Sequence, residues 1–540
     1  MAVLGVLAAF LYMVCADASA FLSQAPAMSL LEELEAVLGS GARDAAEARA
    51  LPLEDAMRPV FRALPKAAGD RLPWGGVRYL LHRVFVQRHG WQVAGIADDG
   101  AGFAAAGGPS EVVADAASAE AAALFERRHG GRGLTLHETA VLAATLETLV
   151  HDDVAARLRA AYGFAGVAGG DEDPERLGLA MDYYMLMYLL RVDHAEATQE
   201  LLEDLQRNSR NAHVQETQRW ARSVQAEVFG ASAPELGGGF GRSVRAVEEV
   251  MDRYGPWQNY ECEAIKADLV ALEWNGTGRV RLQDFYAAAM QGNHLFSENK
   301  DYLREIGALD ESEPSRPSVL IPNFLLSPAN CLGGTRLYSV CCLSECERLY
   351  RPLEEHLGAS EAPPERILEL VQRLGSSSVA APRALPEPLR RRLIDVADHH
   401  GGLVPLHGRL FAQWMHHAFP RECPYPHLAG TTAPVRGPEW QERTGVSFMA
   451  NASELQDHID QCTAAGPEDA AAPGLPWLHA EELHVAPPQA PPRRPAPALR
   501  LATMAAVVAA LALALAHTAA GSARALRAAP ASVPKSGLLV

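Results

Sequence analysis

Residues 266–290 contain oxygen-bearing side chains at a spacing that predicts a defined binding site. Apolar side chains at helical spacing come before and after a polar loop that contains Gly278. An EF-hand loop supplies oxygens from positions 1, 3, 5, 7, 9 and 12 and needs glycine at position 6 for its sharp turn. With Gly278 at that turn, the predicted calcium ligands at positions 1, 3, 5 and 12 are Glu273, Asn275, Thr277 and Asp284.

The ligand set of this loop is poor for calcium. Glu273 is long for the tight turn at position 1, and Asp284 lacks the methylene that helps a glutamate bind bidentately at position 12. We therefore predict a degenerate, structural EF-hand-like unit that binds calcium weakly or not at all. We expect no cofactor, and the alternative is a bound calcium ion.

A second segment repeats the Gly-x-Val-x-Leu pattern of the first loop, beginning at Gly402. Each copy follows an amphipathic helix and precedes an aromatic one, and EF-hands work in pairs. We therefore predict that residues 397–408 form a ligand-free partner for the first loop, with two unrelated helical hairpins as the alternative. Its ligand positions offer no carboxylate, since they hold Ala397, His399 and Gly401.

Histidines crowd residues 399–427, together with Cys423. A zinc site can be built from such residues, but none of them shows the C-x2-C or H-E-x-x-H spacing of a specific motif. We interpret them as surface or half-buried histidines, with a metal-dependent enzyme as the alternative. Glu147 and His151 lie at i and i+4 and could share a metal, although a helix-surface pair is commoner. The crowded histidines are His399, His400, His407, His416, His417 and His427.

The two ends of the chain predict a membrane topology. Residues 1–20 resemble a cleaved signal peptide, with an apolar run and a small-x-small site. Residues 501–520 carry no charge and are long enough to cross a bilayer, which leaves residues 521–540 as a cytosolic tail. Cationic residues lie on both sides of this segment, so the signal peptide decides the orientation.

An oxidising compartment favours disulfides over metal-bound thiolates. Seven cysteines remain after the signal peptide, so one is left over if the others pair, and the connectivity cannot be predicted. The candidates are Cys262, Cys331, Cys341, Cys342, Cys346 and Cys423. Two N-glycosylation sequons occur, at Asn275 and Asn451, and a glycan at the first would exclude calcium there.

Apolar residues at helical spacing predict a mainly α-helical protein, and the length of the chain allows several cores. The chain has 540 residues, nearly half of them apolar, which is enough for two or three buried cores. Its net charge of −18 argues against nucleic acid as a partner. We predict a helical N-terminal domain, an EF-hand-like and cysteine-containing helical domain, and a proline-rich stalk. Their ranges are residues 21–236, 243–460 and 461–500.

Specific helices are also indicated. Thr135 and Glu138 have the spacing of a capping box before an apolar helical repeat. Residues 77–89 are a further helix candidate, and residues 181–190 are apolar nearly all round, which predicts a central buried helix.

Three segments, YSVCCLSECERL, GRVRLQDFY and VPLHGRLFAQWMHHAFPRECPYPH, resemble a group of large, uncharacterised proteins of unicellular algae. Some members of that group carry an EF-hand label. The resemblance covers most of the predicted ectodomain. It implies a shared helical body with an EF-hand-like part, and it supplies no catalytic residue.

Together these patterns predict a single-pass type I membrane protein whose ectodomain acts by binding or scaffolding. We expect it in the secretory pathway or the plasma membrane, with its body lumenal or extracellular. Its expected partners are the membrane and an unidentified protein. The alternatives are a lumenal, low-affinity calcium-binding EF-hand protein and a metal-dependent enzyme that uses the histidines of residues 399–427.

Overall fold

The computed structural model describes most of the chain between residues 42 and 485, and this part is mainly α-helical, as predicted. The described residues are 42–96, 103, 133–167, 173–208, 212–231, 239–292, 296–335, 337–463, 476–483 and 485. The predicted signal peptide, membrane span and cytosolic tail, and most of the predicted stalk, lie outside them. Among the described helices, none combines the length and the apolar character that a bilayer crossing requires.

The first half of the described chain is a packed group of helices with one short strand. Its elements are α1 (Ala42–Ala63), α2 (Trp74–His89), β1 (Trp91–Val93), α3 (Leu136–Phe164), α4 (Pro174–Leu189), α5 (Gln199–Asn208), α6 (Ala212–Ala231) and α7 (Gly239–Ala271).

Local sequence signals set the ends and the burial of these helices. The predicted capping box is confirmed, because the Thr135 hydroxyl accepts from the Glu138 amide while the Glu138 carboxylate accepts from the Thr135 amide. Helix α4 is buried along nearly its whole length, as its apolar sequence predicts. Burying each large side chain of this kind contributes about 1.5–3 kcal/mol, so α4 is a main source of stability for the first core.

The second half alternates short helices with short strands. Its elements are β2 (Arg279–Arg281), α8 (Leu282–Met290), α9 (Lys300–Glu305), β3 (Leu309–Asp310), β4 (Ser318–Leu320), α10 (Ile321–Leu325), β5 (Tyr338–Val340), α11 (Glu345–Leu357), β6 (Glu361–Ala362), α12 (Pro364–Val371), α13 (Glu387–His399), β7 (Val404–Pro405), α14 (Arg409–Ala418), α15 (Gly437–Thr444) and α16 (Ala452–Thr463).

Strand β5 joins the two halves. It pairs antiparallel with β1, with Trp91 opposite Val340. Its side chains Tyr338 and Val340 enter the core of the first helices, to which Tyr254 of α7 also belongs. The described residues, from 42 to 485, fall in one compact unit. The domain limits that the sequence indicates stay a prediction.

The two loops predicted to pair with each other do not do so. Strand β2, which follows the first loop, pairs with β4, with Val280 opposite Val319. Strand β7, which follows the second loop, pairs with β6, with Val404 opposite Ala362. The predicted pairing of residues 273–284 with residues 397–408 is therefore wrong. Each strand pairs with one that is nearer in the sequence, as is usual when connections are short.

The prediction of disulfides is confirmed. The structure places three cysteine pairs at bonding distance, and the six cysteines are the candidates named above. The pairs are Cys262–Cys342, Cys331–Cys341 and Cys346–Cys423. Two of these pairs close long stretches of 80 and 77 residues, so they tie α7 and the segment after α14 to the segment around α11.

Candidate functional site

A cleft of about 380 Å³ opens between α2, the start of α11 and the segment after α14. Its volume lies within the range of about 300–1,000 Å³ that small-molecule sites occupy. Apolar and aromatic side chains line much of it, and a few charged groups lie among them. We take this cleft as the candidate functional site.

Arg83 is the centre of a buried ionic cluster in the wall of the cleft. Its Nη1 and Nη2 atoms donate to the two oxygens of Glu354 at 3.1 and 3.2 Å. Its Nε lies 3.1 Å from Oε2 of Glu347, and Nη1 also donates to the Tyr79 hydroxyl at 2.8 Å. Nε2 of His407 lies 2.9 Å from Oε1 of Glu354. Arg83 and Glu354 are 2% and 0% exposed, so this pair is withdrawn from water.

The two carboxyl groups of the cluster have opposite pKa shifts. Burial raises the pKa of Glu347 to about 7, against the effect of Arg83, and the nearby charge of Glu354 adds to the rise. Burial acts in the same direction on Glu354, but Arg83 and His407 outweigh it and lower its pKa to about 2. Near neutral pH, Glu354 is therefore ionised, while Glu347 exchanges a proton. Carboxyl pairs with separated pKa values are typical of functional sites.

Helix α2 positions Arg83 because its two faces differ. Leu80, Leu81 and Val84 turn towards the first core, while Tyr79 and Arg83, one helical turn apart, line the cleft. The helix begins after Pro73 and ends at Gly90, which takes the left-handed conformation that favours glycine. The predicted helix at residues 77–89 is thus confirmed and begins three residues earlier.

Aromatic rings form a second wall of the cleft. The ring of Phe103 meets Tyr79 edge to face, with centroids 5.2 Å apart. The guanidinium of Arg83 lies 5.6 Å from the ring of Tyr79 and 5.9 Å from that of Tyr350. Such rings attract cations through the negative charge of their faces. The cleft therefore combines an aromatic surface with a carboxyl group that can ionise.

Two of the predicted calcium ligands have other partners. The Glu273 carboxylate accepts from Arg421 at 2.5 and 2.8 Å, and from the amide of Gly278 at 2.5 Å. The hydroxyl of Thr277 donates to the carbonyl of Trp274 at 2.6 Å. An arginine therefore neutralises the carboxylate that would occupy the first calcium position. This favours the structural interpretation of the loop.

The other two predicted calcium ligands, Asn275 and Asp284, differ in how far they are exposed. Asn275 is exposed and has a φ of +53°, and Asp284 is half-buried in the first turn of α8. Burial raises the pKa of Asp284, against the effect of Arg281. Both predicted glycosylation sites, Asn275 and Asn451, are exposed on the surface. Calcium binding and glycosylation stay predictions.

The histidines of residues 399–427 have separate partners instead of a common centre. His407 belongs to the Arg83 cluster, and His399 contacts the ring of His400. Burial lowers the pKa of His416 to about 3 and that of His417 to about 4, which keeps both rings neutral. The remaining contacts are His400 with Glu481, His416 with the carbonyl of Cys423, His427 with the carbonyl of Gly307, and His417 stacked on Trp477.

Sequence reasoning missed Arg83, Glu347 and Glu354 as a group. One signal was present, since Arg83 lies within an apolar helix, and a buried charge needs a partner of opposite sign. That partner, Glu354, is 271 residues away in the sequence, so it could not have been identified from spacing.

Known proteins give no guide to this site. No protein-family model, no curated protein and no solved structure matches the chain. The resemblance to the algal proteins stays a prediction, and the function has to be argued from the site.

Proposed function

We propose that the chain is a membrane-anchored binding protein, and that its cleft takes a small cationic ligand with an apolar body. The observation that carries this is the Glu347 carboxyl group, which lines the cleft beside aromatic rings and has a pKa raised to about 7. A bound cation would stabilise the ionised form of this group. The ligand would thereby add a second positive charge beside Glu347, because Arg83 alone does not offset the effect of burial on this carboxyl group.

The charge balance of the cleft supports a cation over an anion. Among the described residues that line the cleft, the one guanidinium is that of Arg83, and the buried Glu354 already neutralises it. Glu347 and Glu482 are the carboxyl groups of the lining. The chain as a whole carries a net charge of −18, which attracts cations and repels anions.

Phenethylamine is a suitable probe, because it joins an ammonium group to an aromatic body. Titration calorimetry at pH 8 should show that it binds at least tenfold more tightly than neutral 2-phenylethanol, with no binding of 3-phenylpropionate. Glu347→Gln should abolish this preference, while Glu355→Gln, an exposed carboxylate on the same helix, should leave it unchanged. Equal binding of all three compounds would overturn the proposal.

Proton release gives a second measurement. At pH 6 Glu347 is mostly protonated, so binding of the amine should release close to one proton, and at pH 8 far less. Calorimetry in buffers of different ionisation enthalpy measures this number. Release that does not change between the two pH values would contradict a role for Glu347.

The membrane part of the proposal rests on the sequence of the two ends and is supported by the three cysteine pairs, since disulfides persist in oxidising compartments. A tag after Val540 should be digested by protease added to intact microsomes, and one after Phe21 should be protected. Protection of both tags, or digestion of both, would refute the topology.

A further inference from the structure

A second cluster of titratable side chains lies where α2, α3 and α7 meet, and its residues do not line the cleft. His89 is the last residue of α2, His151 lies in α3 and Asp252 in α7. Gly255 lets α7 approach the end of α2, because a Cβ at this position would overlap the carbonyl group of His89. Three packed helices thus hold the three side chains together.

Two imidazole nitrogens point at the same carboxylate oxygen. Nδ1 of His89 lies 3.4 Å from Oδ1 of Asp252, and Nε2 of His151 lies 3.8 Å from it. The two histidines are 4% and 9% exposed, and neither of these nitrogens makes a hydrogen bond. Buried polar atoms without hydrogen bonds are rare and costly, so a further partner at these two nitrogens would remove an energetic cost.

The far side of each imidazole faces a carboxylate. Oε1 of Glu147 lies 3.3 Å from Nε2 of His89, and Oε1 of Glu248 lies 3.6 Å from Nδ1 of His151. A carboxylate on the second nitrogen is the usual outer partner of a metal-binding histidine, because it fixes the ring and raises its basicity. His89 has this arrangement through a hydrogen bond with Glu147, whereas Glu248 lies near His151 without a hydrogen bond to it.

We propose that His89, His151 and Asp252 bind a divalent transition-metal ion, with zinc as the best fit. Tetrahedral zinc with bonds of about 2.0–2.1 Å keeps its ligand atoms about 3.3 Å apart. The two imidazole nitrogens lie 3.4 and 3.8 Å from Oδ1 of Asp252. As they stand, no three such side chains in the described part of the chain close around a metal position. The proposed site therefore requires the side chain of Asp252, which is 39% exposed, to turn when a metal binds.

The charge of the cluster also suits a divalent cation. Glu147, Glu248 and Asp252 supply three carboxylates, and Arg88, with Nε 3.9 Å from Glu147, supplies one guanidinium. With both imidazoles neutral, two negative charges remain unbalanced, and a zinc ion would balance them. Protonation of both histidines would balance them as well, and the experiment has to separate these two states.

Titration calorimetry with zinc chloride on the purified full-length chain, stripped with a chelator, tests the site. One zinc ion should bind per chain, and His151→Gln and Asp252→Asn should each weaken it at least tenfold. Glu147→Gln should weaken it by about 10- to 100-fold, as outer partners do. His213→Gln is the matched control, because His213 also pairs with a helix carboxylate, Glu261, and should leave zinc binding unchanged.

Cobalt provides a spectroscopic check that does not depend on folding stability. Cobalt-loaded wild-type chain should show the strong visible absorption of a four-coordinate ion, which His151→Gln should lose while its circular dichroism stays native. Undiminished zinc binding in both His151→Gln and Asp252→Asn would overturn the proposal. The absence of zinc binding in the wild type would overturn it as well, and would leave an ionic network of the two histidines with their carboxylates.

Discussion

Replacing Glu347 by glutamine should remove much of the pH dependence of stability between pH 5 and 8. The folded chain raises the pKa of this carboxyl group to about 7 from an ordinary value of 4.5. The folded state therefore binds the proton more tightly than the unfolded state. Its contribution to stability is fully present below pH 4.5 and is lost as the pH rises through 7.

The size of the effect follows from this difference in pKa. One pKa unit corresponds to about 1.4 kcal/mol, so the wild type should lose about 2–3 kcal/mol between pH 5 and pH 8 from this group alone. The side chain is 16% exposed, which makes the upper end of this range a limit. A glutamine cannot ionise but keeps an oxygen that can accept from Nε of Arg83. At pH 8 the variant should therefore be more stable than the wild type.

Urea unfolding at pH 5, 6, 7 and 8 measures this directly. The free energy of unfolding of Glu347→Gln relative to the wild type should rise steadily with pH. Glu355→Gln is the control, because Glu355 is an exposed residue of the same helix, paired with Arg351. Parallel pH curves for wild type and Glu347→Gln would refute the buried, proton-exchanging role of this carboxyl group.

Three further predictions concern the Arg83–Glu354 ion pair, the EF-hand-like loop and the disulfides. Glu354→Gln should lower the free energy of unfolding in urea titrations, by at most about 3–5 kcal/mol, because it removes the carboxylate that binds both Nη atoms of the buried Arg83 and leaves only Glu347 as its ionic partner. Phe285→Ala should lower the free energy of unfolding by about 3–5 kcal/mol, which is more than Asp284→Ala should lower it. Calorimetry should find no calcium binding that is both tighter than about 10 μM and lost in Asp284→Ala. Thiol counting on the denatured, unreduced chain should find few free thiols, and Cys346→Ser should cost about 2–5 kcal/mol.

The features that could be predicted from sequence are those that local physics decides. The capping box at Thr135 and the buried helix α4 depend on residues a few positions apart, and both are confirmed. The pairing of the six candidate cysteines followed from the expected compartment, although their connectivity did not. These helices and the formation of disulfides could therefore be predicted from this sequence without comparison with a relative.

The candidate sites depend on contacts that spacing does not encode. Arg83 and Glu354 meet across 271 residues, and His89 of α2 meets Asp252 of α7 where Gly255 allows the two helices to approach. The prediction that the two EF-hand-like loops pair with each other was wrong for the same reason. A shared pattern showed that both loops precede a strand, but it carried no information about which strand lies beside each.

Arg421 explains how the first loop keeps its shape with so poor a set of calcium ligands. Its guanidinium bonds the Glu273 carboxylate, which in turn accepts from the amide of Gly278. A Cβ at Gly278 would overlap the carbonyl of Pro420, so the glycine is needed for the approach of this segment as well as for the turn. The same segment continues through Cys423, which is bonded to α11, into the wall of the cleft. The guanidinium of Arg421 thus neutralises Glu273 inside the loop, and the segment that carries Arg421 connects the loop to the wall of the cleft beside α11.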